Sequence, residues 1–169
     1  MKLIILFTTF LLSHSSFAEN KEDILSKIKI FQTALKVELQ KGMKKSPLEA
    51  VTICNVKAPE IKKSLSSPNT QFGRVSLKNR NPSNYPKEWM LKYIEEFHNK
   101  ETKEPYTVVK LQDGKQGLLK PIITMPLCLK CHGTNIKADL QEKISKLYPK
   151  DKAVGYKVGQ IRGFFWSEF

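Results

Sequence analysis

Arginine is scarce in this sequence. Of 29 basic residues only Arg74, Arg80 and Arg162 are arginines, which leaves 26 lysines. No basic stretch is interleaved with aromatic side chains, so the formal net charge of +13 reads as a solvated lysine surface and gives no nucleic-acid groove. Beyond residue 18 no run is apolar enough to cross a bilayer, and there is no internal repeat or low-complexity tract. Cysteine numbers three, and neither histidine nor methionine occurs after His132. That last absence excludes any arrangement in which a late methionine completes a site opened earlier in the chain.

The first eighteen residues, MKLIILFTTFLLSHSSFA, carry Lys2 as their only charge, an apolar run from Leu3 to Leu12, and Ser16-Phe17-Ala18 at the end. A charged start, a hydrophobic stretch too short to span a bilayer and a small-x-small end predict a secretory signal peptide over residues 1–18. The remainder, 19–169, is expected to be one exported, periplasmic domain with no transmembrane segment after cleavage, and it is long enough to bury a core. Outside the cytoplasm, partners for so basic a surface are anionic lipids or acidic redox proteins.

Asn20 followed by Asp23 predicts a helix start, with apolar residues at Ile24, Ile28, Phe31, Leu35 and Leu39 and an end at Gly42. Ser46-Pro47-Leu48-Glu49 predicts a capping box that opens a second helix. Its buried face is expected at Val51, Cys54, Ala58, Ile61 and Leu65, with a kink or restart at Pro59. A strand from Phe72 to Leu77 and a helix near Pro86 to Phe97 follow. Residues 106–123 read as a hairpin turning at Asp113-Gly114. A short helix around residue 130, a helix from Lys137 to Leu147 and a closing strand complete an α+β domain on an antiparallel sheet.

The chemistry concentrates in CLKCHG, residues 128–133. A zinc site needs four ligands, but there is one Cys-x-x-Cys pair and, beyond residue 18, one further histidine, His98. A redox disulfide would leave His132 incidental. Covalent haem attachment uses every residue: two thiols bond the vinyl groups and the adjacent imidazole reaches the iron. One haem c is therefore expected, anchored by Cys128 and Cys131, with His132 as proximal ligand.

For the far side of the iron the candidates are His98, Met43, Met90, Met125, a lysine and Cys54. His98 sits at a helix end beside Glu95 and Glu96, which explains it structurally. Cys54 is the odd cysteine in a compartment where spare thiols are usually bridged, yet free cysteines are often small buried residues. The residues alone leave both readings of Cys54 open.

Four segments carry a resemblance: AVTICNVKAPEI (50–61), GRVSLKNRNPSN (73–84) with Trp89 soon after, PLCLKCHG (126–133) and YPKDKAVGYKVGQIRG (148–163). In this order, and over nearly all the chain from Leu48 onward, they resemble the c-type-haem family of PAS-like sensor domains. The resemblance implies a PAS-like antiparallel sheet with packed helices and a long N-terminal helix. It also implies iron held by a histidine and an unusual cysteine, which fall here on His132 and Cys54. Gln160 stands where members often carry an acidic residue, so a role for a carboxylate there is not carried over.

A thiolate ligand stabilises ferric iron and lowers the reduction potential relative to methionine. Loss of charge on reduction weakens that bond and opens a site for a small ligand such as NO or CO. The chain is thus expected to be a redox or gas sensor module and not an enzyme. Its output would pass to a separate signalling or redox partner, since no output module follows the last expected strand. The alternative is a low-potential periplasmic electron-transfer cytochrome. Arg74, Arg80 and Arg162 are expected either to contact the haem propionates or to brace loops, since a guanidinium matches a carboxylate better than an ammonium does. Tyr156 and Trp89 are expected in the core. The Ile24 to Leu39 stripe offers a route to a homodimer.

Overall fold

The computed structural model describes residues 19–101 and 104–169, so the expected signal peptide over residues 1–18 lies outside the described residues. The chain opens with a helical hairpin, α1 (Lys21–Lys45) and α2 (Pro47–Leu65). Asn20 and Asp23 start α1 as expected, and do so as a capping box. Gly42 does not end that helix, which runs one turn further to Lys45. The helix stops at Ser46, whose N–H donates to the Gly42 carbonyl while its Oγ accepts from the Glu49 N–H at 3.0 Å. One residue thus closes α1 and caps α2. Gly42 serves the crossing instead: a Cβ there would lie 2.4 Å from the Ala50 Cα. Of the kink or restart expected at Pro59, the restart does not occur: a single lost backbone bond on an exposed face does not interrupt α2.

Four strands form one antiparallel sheet in the order β1 (Gln71–Val75), β4 (Ile161–Glu168), β3 (Gln116–Ile123), β2 (Thr107–Lys110). The first strand stops two residues short of the expected Leu77. The hairpin between β2 and β3 turns through Asp113 and Gly114, where φ is +83°. Along the sheet, neighbouring side chains point to opposite faces. Phe72, Leu118, Ile122 and Phe165 pack under Ile24, Ile28 and Phe31 of α1. Val75, Leu119, Phe164 and Trp166 pack on Met90, Ile94 and Phe97 of α3 (Glu88–His98). Full burial of each such side chain stabilises the fold by about 1.5–3 kcal/mol over leaving it exposed. Ile24, Ile28 and Phe31 of the α1 stripe are therefore spent within their own chain, with Leu35 packed against them.

Two features build the region where chemistry is expected. A short turn of helix, α4 (Leu129–His132), and the helix α5 (Ala138–Leu147) pack against α2, with Val51, Leu140 and Ile144 at the centre and Cys131 and Tyr148 beside them. On β4 the register slips, with Ile122 opposite Gly163 but Ile123 opposite Ile161, so Arg162 is the extra residue of a β-bulge. No helix among the described residues is long and apolar enough to cross a membrane.

Candidate functional site

His132 ends α4, and its ring is held from two sides. Nδ1 lies 2.7 Å from the Ala153 carbonyl, and Tyr156 meets the ring edge-on at a centroid distance of 6.4 Å. A carbonyl can only accept, so Nδ1 carries the proton and Nε2 keeps its lone pair. Burial holds the imidazole well below its usual pKa, and the charges of Arg162 and Arg80 add to that. The ring is neutral and oriented, as a metal-binding histidine requires.

A strap of chain, residues 151–156, fastens this turn. The Gly155 N–H donates to the Gly133 carbonyl and the Tyr156 N–H to the His132 carbonyl, both at 2.9 Å. The loop after β1 then ties the strap down: the Lys152 N–H donates to the Asn79 carbonyl at 3.0 Å, and Lys78 Nζ donates to the Val154 carbonyl. Arg80 joins all three parts. Its Nη2 donates to the Cys131 and Ala153 carbonyls and lies 3.1 Å from Asp151 Oδ2. Arg80 therefore braces these loops, one of the two roles expected for the arginines.

Arg74 and Arg162 are different. Both lie within electrostatic reach of Cys54, and Arg162 helps burial to lower the Arg74 guanidinium to about 10. Among the described residues neither forms an ion pair with an Asp or Glu, and the buried Arg162 Nε has no hydrogen-bond partner. Arg74 lies over the face of Phe31, 6.0 Å from the ring centre. Two guanidinium groups thus lie within electrostatic reach of one another with no carboxylate partner among the described residues.

Cys54, one turn beyond Val51 on α2, is half-buried within electrostatic reach of Cys131. Burial raises its pKa, and Arg74, Arg162 and Arg80 pull it back. Burial raises Cys131 likewise, opposed first by Arg80. Cys128 Sγ accepts from the Met125 N–H at 3.4 Å. All three thiols are free. Among the described residues no group of three or more His, Cys, Asp or Glu side chains could hold a metal ion, so the four-ligand set of a zinc site is not assembled there.

Two of the rival distal ligands, His98 and Met90, are placed elsewhere. His98 packs edge-on against Phe164, and Met90 is fully buried beneath α3, both across the sheet from α1 and α2. Met125 is exposed beside Cys128. Trp89 donates to Glu168 at 2.7 Å, away from the site. Tyr156 is buried as expected, but it also touches His132. Tyr148 was not singled out in the sequence, yet it sits under Arg80 at 6.0 Å and within electrostatic reach of Cys54. Its aromatic ring in YPKDKAVGY was the available signal. Ala153 acts through its backbone and gave none.

The family model for Tll0287-like proteins matches residues 12–167. The chain belongs to the Tll0287-like family. It is also similar in structure to the cyanobacterial haem-protein Tll0287, with a TM-score of 0.65 and 23% sequence identity over 89% of this chain and 96% of that one. At that identity the likeness shows the shared α+β fold. No curated protein matches the chain.

Proposed function

We propose that this Tll0287-like chain is an exported monohaem c-type protein that works as a redox or small-ligand sensor. Cys128 and Cys131 would anchor the haem, His132 would bind the iron on one side and Cys54 on the other, and Arg74 and Arg162 would hold the propionates. The observation that carries the reading is the oriented, neutral His132 in a region that also gathers Cys54, Cys131 and two acid-free arginines. The similarity to a cyanobacterial haem-protein of the same fold supports it. Bound haem supplies a one-electron redox centre; the chain supplies its ligands and its field.

The protein's own contribution is the contrast between the two sides. His132 is pinned by the strap and stays put. Burial favours the neutral thiol at Cys54, so a thiolate there depends on neighbouring positive charge. Its hold is thus sensitive to the charge of the partner it binds, which suits a sensor better than a carrier.

The test is electron paramagnetic resonance of the oxidised protein, made with haem-attachment machinery. A low-spin ferric signal of thiolate type is expected in the parent and absent in Cys54→Ala. The same signal in both would overturn the ligand assignment. A reduced protein that keeps its six-coordinate spectrum and ignores CO would be an electron carrier instead.

A further inference from the structure

Arg80 and Asp151 make a closed circuit around one residue. Asp151 Oδ1 accepts from the Ala153 N–H at 2.8 Å, Asp151 Oδ2 lies 3.1 Å from Arg80 Nη2, and Nη2 lies 3.4 Å from the Ala153 carbonyl oxygen. Both peptide groups of Ala153 are thereby held. That carbonyl accepts the His132 Nδ1 proton at 2.7 Å. The Arg80 and Asp151 side chains are 14% and 7% exposed, so solvent does little to loosen the pair.

We propose that Arg80 and Asp151 are positioning residues that set the donor strength of His132 by fixing the Ala153 carbonyl. The inference rests on the haem reading above. A carbonyl aimed along the Nδ1–H bond draws that proton outward and enriches Nε2, which favours the more positive state of a bound metal. A carbonyl free to tilt gives up part of that effect. Arg80 acts here through one atom, Nη2, which its long side chain brings within reach of Asp151, the Cys131 carbonyl and the Ala153 carbonyl together. A lysine keeps the charge but ends in a shorter, tetrahedral ammonium that does not reproduce the place of Nη2.

Arg80→Lys in the haem-loaded full chain is therefore the decisive variant, because charge near the site is conserved. Haem content, reduction potential and ferric g-values are measured, with Asp151→Asn as a second variant and Glu168→Gln as a control on the remote Lys87 pair. Arg80→Lys is expected to shift the ferric–ferrous equilibrium toward ferrous about tenfold, about 59 mV for one electron. Its g-values should change, and Asp151→Asn should move both readouts the same way. Glu168→Gln should move neither. A lower melting temperature with unchanged potential and g-values in both variants would reduce Arg80 and Asp151 to fold supports and overturn the proposal. A parent lacking covalent haem would instead overturn the haem reading, and this inference with it.

Discussion

His132 has to remain uncharged inside a cluster of guanidinium groups, and this links its chemistry to stability. Burial, Arg162 and Arg80 depress its pKa well below the ordinary 6.5. Above pH 6.5 neither state binds that proton, and the full stability is present. As the pH falls below 6.5 the unfolded chain takes up a proton that the folded chain refuses, so stability is lost by up to about 1.4 kcal/mol per pH unit. His98, also lowered by burial, contributes with the same sign. Urea midpoints of the haem-free chain, made by Cys128→Ala with Cys131→Ala, and of the same chain with His98→Gln, between pH 7.5 and 5, separate the two. A downward slope that persists in His98→Gln is expected; a flat line there would mean that His132 is free to protonate in the fold. Cys128, Cys131 and the His132 imidazole were legible as candidate groups at this scale, because CxxCH places reactive residue types at fixed spacing. Ala153 was not, because a backbone carbonyl is common to every residue.

Helices and strands were legible where a local device marks them. Asn20 and Asp23, Ser46, and Asp113-Gly114 each act within four residues of chain. Gly42 was misread for the same reason: a glycine late in a helical pattern resembles a terminator, and its actual partner, Ala50, lies on another helix. Gly42→Ala tests this. Alanine is the better helix former by about 1 kcal/mol, but its Cβ would lie 2.4 Å from the Ala50 Cα and 2.9 Å from the Ala50 nitrogen, atoms that move only if the hairpin opens. Overpacking of that kind costs about 1–3 kcal/mol, so a net loss is expected. A urea midpoint that falls at constant slope would show it; a rise would mean that the helices are not in contact there. The Arg162 bulge was equally hidden. It depends on the register between β3 and β4, which no window of one strand reveals.

At the scale of the whole molecule, the fold brings two like charges to one place without an acid. Arg74 comes from β1 and Arg162 from the bulge on β4, and burial, with their mutual repulsion, takes Arg74 down to about 10. A core packed on both faces of the sheet gives the chain enough stability to carry that cost. If the pair exists to hold propionates, the effect of removing one member has opposite signs in two forms of the protein. In a haem-free chain made by Cys128→Ala with Cys131→Ala, Arg162→Gln relieves repulsion and should raise the melting temperature. In the haem-loaded chain the same change leaves a carboxylate poorly paired and should lower it. Each kcal/mol corresponds to about 2–4 °C for a chain of this size. The backbone role of residue 162 is untouched by the change, since Ser76 and Tyr156 bind its carbonyl at 2.8 and 3.3 Å. Calorimetry on the four proteins decides the matter. Opposite signs would assign the pair to the haem, whereas a loss in both would make Arg162 a fold support and leave the propionates to Arg74 or to solvent.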